Sequence, residues 1–440
     1  MKIRLTSMQI LSIGFALMII VGGILLWLPI SNREGIPFIN AFFTSASAAC
    51  VTGLVIYDTY SQFTFFGQAV ILILIQVGGL GFMMVGILFS MFIGRRIGLR
   101  ERSLLMESVG FWKVGGIVRL TRRVLITTGI IELVGTAFLA IRFCPRFGLW
   151  EGLWSALFHS VSGFCNAGFD IMGRIAPSSS LMDFSDDIIV NLTIVVLIIF
   201  GGLGFFLWND VIENKWHISK YQLHTKIVLF MSGLLIILGT VGFFLLEKDA
   251  AFVGMPTGER LLASLFQSVT PRTAGFNTVD LTTLSEGGTL LTMLLMFIGA
   301  GSGSTAGGIK VTTLTVLLLS VITQSYHRSD LNIFGRRLED DAVKRACSNT
   351  TLYLILSLFG CFMLCIQGFS ISDSMFEALS AIGTVGLSKG ITPQLSSISK
   401  IVIILLMYSG RVGSLSVAMA MARRREEPRL KKTTEKIIIG

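Results

Sequence analysis

Phe43-Thr-Ser-Ala-Ser-Ala-Ala-Cys50-Val51-Thr52-Gly53 opens on phenylalanine and closes on glycine, and the chain repeats that pattern four times. The second copy is Phe158-His-Ser-Val-Ser-Gly-Phe-Cys165-Asn166-Ala167-Gly168, and the fourth is Phe376-Glu-Ala-Leu-Ser-Ala-Ile-Gly383-Thr384-Val385-Gly386. The third, Phe266-Gln-Ser-Val-Thr-Pro271-Arg272-Thr273-Ala274-Gly275, is one residue shorter and carries a proline, so it is expected to differ locally. The closing glycines stand 115, 107 and 111 residues apart, the period of a repeated unit. A second landmark follows each copy: Gly78-Gly79-Leu80-Gly81, Gly201-Gly202-Leu203-Gly204, Ala300-Gly301-Ser302-Gly303 and Gly410-Arg411-Val412-Gly413. Two landmarks recurring in one order are not a by-product of composition, even in a chain with 47 glycines.

The surroundings of these stretches are membrane-like. Of 440 residues, 52% are hydrophobic and 14% charged, where a soluble protein spends about a quarter on charge. Eight long apolar segments can be drawn, near 8–30, 64–94, 123–143, 188–208, 224–246, 289–322, 348–368 and 398–422. Runs of this length can cross a ~30 Å hydrocarbon core. Each unit then reads as span, half-span, span. A helix of ~12 residues is only ~18 Å long, which suits a re-entrant element. Such elements are tolerated at membrane depth only when buried in protein or lining water.

Four re-entrant helices around one axis would turn their negative C-terminal ends toward a cation. The residues after each helix could replace the ion's hydration shell with backbone carbonyls, and glycine permits the required dihedrals. The coordinating segments are thus expected to be Cys50, Val51, Thr52 and Gly53; Cys165, Asn166, Ala167 and Gly168; Arg272, Thr273, Ala274 and Gly275; and Gly383, Thr384, Val385 and Gly386.

Charge supplies the topology. With the N-terminus inside, the cytoplasmic segments hold 26 of the 36 Lys and Arg, and the net charge of +10 resolves into +15 inside and −5 outside. This positive-inside bias places both termini in the cytoplasm. The basic runs Arg95 to Arg102, Arg119 to Arg123 and Arg423 to Lys432 serve topology and lipid headgroups, or form a docking surface for a cytosolic partner. The first apolar stretch lacks a small-residue cleavage site before the polar loop and reads as a retained helix. Six cysteines without a C-x-x-C pattern indicate neither a disulfide framework nor a zinc site.

These residues resemble the Trk/Ktr/HKT superfamily of potassium transporters, most closely its Ktr-type membrane subunits (KtrB), over nearly the whole chain. The resemblance rests on the four half-spans ending at Gly53, Gly168, Gly275 and Gly386, the glycine-rich break at 299–308, and an arginine in the last span. It implies an all-α membrane protein with eight transmembrane helices, in which four span, pore loop, span repeats surround one pore with pseudo-fourfold symmetry. The repeats would be 1–94 (pore loop 38–54), 95–208 (151–169), 209–322 (258–276, with an intramembrane gate at 299–310) and 323–422 (371–387), followed by a basic cytoplasmic tail, 423–440. Glycine at all four positions is associated in that family with potassium permeation, and serine at the first with sodium preference in some plant members. The transported ion would be K+, with no nucleotide bound by this chain itself. The resemblance further implies a homodimer in the bacterial plasma membrane, resting on a cytosolic ring of nucleotide-binding regulatory subunits of the KtrA type, with no role for nucleic acid.

Gly299-Ala300-Gly301-Ser302-Gly303-Ser304-Thr305-Ala306-Gly307-Gly308, followed by Lys310, fits neither nucleotide-loop spacing. Five glycines and no large side chain cannot hold a regular helix. The run is either an unwound gate below the filter or a packing site for a close helix pair. Arg411, a lone cation at ~3 kcal/mol or more, shares the register of Gly79, Gly202 and Gly301. It either faces the path as an electrostatic barrier, interacting with the 299–308 loop, or snorkels to the interface. Glu132 is expected to pair with Arg122 and Arg123, with a proton relay as the sharper reading. Arg272 is expected to point away from the axis, and His159 to pack or hydrogen-bond. Asp170 either attracts cations or is a solvated loop acid, and Ile437 to Gly440 either docks or frays. No nucleophile and base, paired carboxylates or metal-ligand cluster stands in the loops, so an enzyme is not expected. The competing readings are a sodium or poorly selective transporter of this architecture and, more distantly, a membrane-embedded enzyme or scaffold.

Overall fold

The computed structural model describes residues 6–81, 84, 98, 117–215, 217–327, 330–339 and 341–414. The basic runs at 95–102 and 423–432 and the segment 437–440 lie outside these residues. Among the described residues the regular secondary structure is helical apart from a hairpin pairing Asn332–Ile333 with Arg336–Arg337, a small exception to the all-α expectation.

Among the described residues four helices are long and apolar enough to cross a membrane: α1 (Ser7–Trp27), α4 (Ile117–Phe147), α8 (Leu223–Leu246) and α12 (Ala342–Ile366). Each is followed by a shorter buried helix that opens the second element of a triplet: α2 (Phe38–Ala49), α5 (Leu149–Cys165), α9 (Thr257–Val269) and α13 (Ile371–Gly383). The third element of each is α3 (Phe65–Leu80), α6 (Ile188–Leu203), α10 (Glu286–Phe297) or α14 (Ser397–Val412). These last helices start alike. Thr64, Asp187, Ser285 and Ser396 each accept a hydrogen bond from a first-turn amide, satisfying donors that would otherwise be orphaned.

They also end in breaks, and here the unbroken spans expected near 64–94, 188–208 and 398–422 need correction. α3, α6 and α14 stop at Gly81, Gly204 and Gly413, whose φ values are 85°, 99° and 95°. A left-handed residue cannot continue a right-handed helix. After Gly204 the chain resumes as α7 (Phe205–Asn214) at 92° to α6. After α10 the break runs from Ile298 to Lys310 before α11 (Val311–Ser325) begins. The break anticipated for one of these helices therefore occurs in all four.

Lipid is as apolar as a side chain, so helices in a bilayer associate through close packing. The triplets show how. Gly22, Gly135, Gly239 and Gly360 lie on the long helices, and a Cβ at any of them would come closer than 3.0 Å to a side chain of its own triplet. The partners are Ser45 with Leu74, Ser160 with Leu197, Ser268, and Leu406. The landmark phenylalanines Phe43, Phe158, Phe266 and Phe376 are fully buried. Between triplets, α3 packs on α5, α6 on α9, α10 on α13 and α14 on α2, so the four close into a ring.

Candidate ion pathway

At the centre of the ring the chain leaves each short helix in one conformation. Val51, Asn166, Thr273 and Thr384 have φ of 58°, 58°, 80° and 51°, and two residues on Gly53, Gly168, Gly275 and Gly386 have φ of 91°, 66°, 85° and 92°. The residues between, Thr52, Ala167, Ala274 and Val385, keep negative φ. Alternating handedness turns successive carbonyls toward one side, as ion coordination by a backbone requires. Left-handed φ is costly for non-glycine residues, above all for a β-branched Val51, so tertiary contacts must hold it.

Hydroxyls at the helix ends hold it. Ser47 Oγ and Ser380 Oγ accept from the amides of Gly53 and Gly386, both at 3.1 Å. Ser162 Oγ and Thr270 Oγ1 instead donate to the carbonyls of Phe169 and Phe276, both at 2.7 Å. Sequence reasoning missed this set, although a Ser or Thr stands six residues before the glycine in three copies and five before it in the third. The third copy does differ: the amide of Ala274 bonds to Thr270 at 2.9 Å, spanning four residues, where Thr52, Ala167 and Val385 each reach back five.

The four glycines touch in cyclic order. A Cβ at Gly53 would collide with the Ala167 carbonyl, at Gly168 with that of Ala274, at Gly275 with that of Val385, and at Gly386 with that of Thr52. The closing glycines of all four segments and the residues just before them are thus brought to one place, the first and fourth segments from more than 330 residues apart in sequence.

Arg272 points away from this ring, its guanidinium donating to Ser232 O at 3.3 Å and Ser232 Oγ at 3.1 Å on α8. Arg272→Met keeps the length of the side chain and removes both bonds, each worth about 1.5–3 kcal/mol when a charge takes part. The purified variant is expected to melt several degrees lower in detergent, measured by scanning fluorimetry.

Below the ring lies the Gly299 to Lys310 loop, non-helical as its composition requires. Gly299 N donates to Ile309 O at 2.9 Å and Val311 N to Ala300 O at 3.1 Å, pinching its base. Gly301 N donates to Gly202 O at 2.8 Å, and Thr305 Oγ1 to Phe164 O at 3.2 Å, which ties the loop to the ends of α6 and α5. Ser302 Oγ lies 2.9 Å from Thr312 Oγ1, Ser304 Oγ donates to Gly301 O at 2.7 Å, and Gly303 O accepts from Phe205 N at 2.8 Å. Lys310 Nζ is held by the loop's own carbonyls, Ala306 at 2.6 Å and Gly307 at 3.1 Å. A Cβ at Gly307 would strike Thr384, and one at Gly308 would come within 3.1 Å of Gly299.

Arg411 reaches inward rather than snorkelling, and among the described residues it pairs with no acid. It donates to Thr305 O of the loop, and to Gly78 O at 2.6 Å and Gly79 O at 2.8 Å. Those carbonyls end α3, where the helix dipole is negative. Arg411, Lys310, Gly79, Gly303, Ser304, Ala306 and Gly308 all line one cavity of about 250 Å³.

Glu132 departs from expectation. Arg123 reaches Asn209 and Glu213, while Glu132 Oε2 accepts from Gln76 Nε2 at 3.1 Å. Nine residues along α4 separate Arg123 and Glu132, a rise of ~13.5 Å, so they lie at different depths. His159 packs among Phe143, Phe158 and Phe276, its Nδ1 2.7 Å from Ser155 O. Asp170 is half-buried beyond Gly168, its Oδ1 accepting from Met172 N at 3.0 Å. Burial, reinforced by the charge of Asp58, pushes its carboxyl up to about 7.

Comparison with known proteins follows from this geometry. The chain matches the TrkH family, described as a cation transport protein, over residues 6–433. It is 42% identical over 424 residues to the Ktr system potassium uptake protein B of Bacillus subtilis, covering 96% of this chain and 94% of that protein. It is 39% identical over 452 residues to the potassium/sodium uptake protein NtpJ of Enterococcus hirae, covering 99% and 98%. Among solved structures, the potassium transporter TrkH of Vibrio parahaemolyticus superimposes with a TM-score of 0.75 at 19% identity, over 96% of this chain and 86% of that one, a likeness of fold.

Proposed function

The chain belongs to the TrkH family of cation transport proteins, which are membrane transporters rather than enzymes, and from that premise we propose that it carries potassium into the cell as the ion-translocating subunit of a Ktr-type system. The observation that carries this reading is the closed ring of Gly53, Gly168, Gly275 and Gly386, each leaning on the next segment's carbonyl. Ions enter from outside, exchange water for the carbonyls of 50–53, 165–168, 272–275 and 383–386, and pass the 299–310 gate toward the cytosol. The membrane potential favours that direction by about 2.3 kcal/mol per charge per 100 mV. Arg411 stands at the gate as a fixed positive charge with Lys310 beside it, supported by their place on the cavity beneath the ring.

The same reading takes the chain as four repeats of span, pore loop and span with the boundaries given above, eight spans broken where α3, α6, α10 and α14 end, and both termini in the cytoplasm of a bacterial plasma membrane. Its partners are a second copy and a cytosolic ring of nucleotide-binding subunits, a proposal supported by the resemblance to a Ktr system protein. A second reading, in which sodium is carried as well, draws on the similarity to a potassium/sodium uptake protein.

Flux through the purified protein in liposomes, with and without the cytosolic partner, tests the proposal. Potassium or rubidium uptake should exceed sodium uptake and respond to the partner. No cation flux would refute it, and equal sodium flux would favour the second reading.

Asp170 adds a pH dependence. Its carboxyl, raised to about 7 chiefly by burial, is charged above that pH and neutral below it. Uptake at subsaturating potassium is therefore expected to fall as external pH drops from 8 to 6, because a negative charge near the mouth is lost. Asp170→Asn should give a flat, low profile across the same range.

A further inference from the structure

Glu132 is 7% exposed, and its Oε1 is buried without a hydrogen-bond partner among the described residues. Leaving a buried acid half satisfied is costly unless something is gained by it. The neighbouring triplets make the choice of residue sharper. Ser160 Oγ on α5 donates to Glu132 O at 2.7 Å, and the same bond recurs from Ser45 to Ile19 O at 2.7 Å and from Ser268 to Ile236 O at 2.9 Å. Glu132, Ile19 and Ile236 each precede by three residues the glycine that admits the short helix, as does Ser357 on α12. Isoleucine therefore satisfies the packing at this position twice, and a carboxyl is not needed for the fold.

The carboxyl's contacts lead to the ring. Gln76 on α3 donates its Nε2 to Glu132 Oε2 at 3.1 Å and turns its Oε1 to accept the Cys165 thiol at 3.4 Å. Because Oε2 takes the hydrogen bond from Nε2, the Gln76 amide is left with its Oε1 toward the Cys165 thiol. Cys165 is fully buried and opens the second segment, and a Cβ on Gly79 would lie 2.7 Å from its Sγ. Glu132 thus holds α5 through its carbonyl to Ser160 and the second segment through Gln76 to Cys165.

We propose that Glu132 is a positioning residue for ion selection: through Gln76 it orients Cys165 and so sets the carbonyl geometry of segment 165–168. This rests on the reading of that segment as part of the filter. It requires no change in the charge of Glu132 during transport.

Tracer rubidium and sodium uptake by the purified full-length chain in liposomes tests it. Glu132→Ile, the residue two other triplets carry, is expected to lower the rubidium-to-sodium ratio roughly threefold to tenfold, the scale of one lost hydrogen bond. It should raise the half-saturating rubidium concentration more than it lowers the maximal rate. Glu132→Gln, which can still accept from Gln76, should stay within about twofold of the parent. In a Cys165→Ala background, Glu132→Ile should cause no further change. An unchanged ratio in Glu132→Ile, an equal fall in Glu132→Gln, or effects that multiply in the Cys165→Ala background would each overturn the proposal. If Glu132→Ile is not recovered folded, Cys165→Ser against Cys165→Ala asks the same question from the other end, since serine keeps a donor toward Gln76. Gly168→Ala serves as the control. If it leaves the ratio unmoved, the filter reading fails, whereas a shift there with none in Glu132→Ile sinks only the role of Glu132.

Discussion

Gly53→Ser is expected to lower the ratio of potassium to sodium uptake by roughly tenfold or more, with a fall in absolute potassium flux. The side chain is small, so bulk alone is not the reason. Gly53 sits at φ 91°, where an L-residue is strained by about 1–3 kcal/mol. Its Cβ would also run into the Ala167 carbonyl, one of the groups proposed to bind the ion. Relief requires segment 50–53 or segment 165–168 to rotate, and either movement takes carbonyls off the axis. Because each segment leans on the next, the disturbance passes around the ring. Parallel uptake of rubidium and sodium in cells lacking other potassium systems measures it, and a parental ratio would remove Gly53 from the filter.

Arg411→Ala should act in the opposite direction on flux. A monovalent cation passing at roughly 7 Å from a fixed positive charge, in an effective dielectric of about 20, meets ~2 kcal/mol of repulsion. The carbonyls of Gly78, Gly79 and Thr305 offset part of that charge. Removing Arg411 also cuts the tie between α14, the end of α3 and the 299–310 loop, leaving the loop freer to move aside. We expect partner-independent potassium flux in liposomes to rise roughly fivefold to thirtyfold, the scale set by that repulsion. An unchanged rate and an unchanged half-saturating concentration would exclude both the barrier and the latch.

Much of this architecture was legible as spacing. The phenylalanines and glycines of the four stretches are local in sequence, and a recurring local pattern forms the same turn each time it meets the same surroundings. The 299–308 loop was equally readable, since five glycines in ten residues deny a helix its propensity. Gly81, Gly204 and Gly413 were in view, yet the breaks they make were not foreseen. A single glycine costs a helix only about 1 kcal/mol, and at Gly204 the break is met by the loop, whose Gly303 carbonyl takes the amide of Phe205. Ser47, Ser162, Thr270 and Ser380 passed as ordinary residues because only the folded segment shows what their hydroxyls reach.

Glu132 illustrates the limit. Read along α4, Arg122 and Arg123 were its nearest cations, but its partner Gln76 lies 56 residues away on another helix. By itself the sequence determined that the chain carries membrane-length apolar runs, that a phenylalanine-to-glycine pattern recurs four times along it, and that the 299–308 run cannot hold a helix. Those are properties of composition and of short-range periodicity. Only the tertiary structure decided which carbonyls meet, what holds Arg411, and what the carboxyl buried behind the second segment touches. Each of those depends on helices from different units closing into one ring, and a linear pattern carries no term for the distance between them.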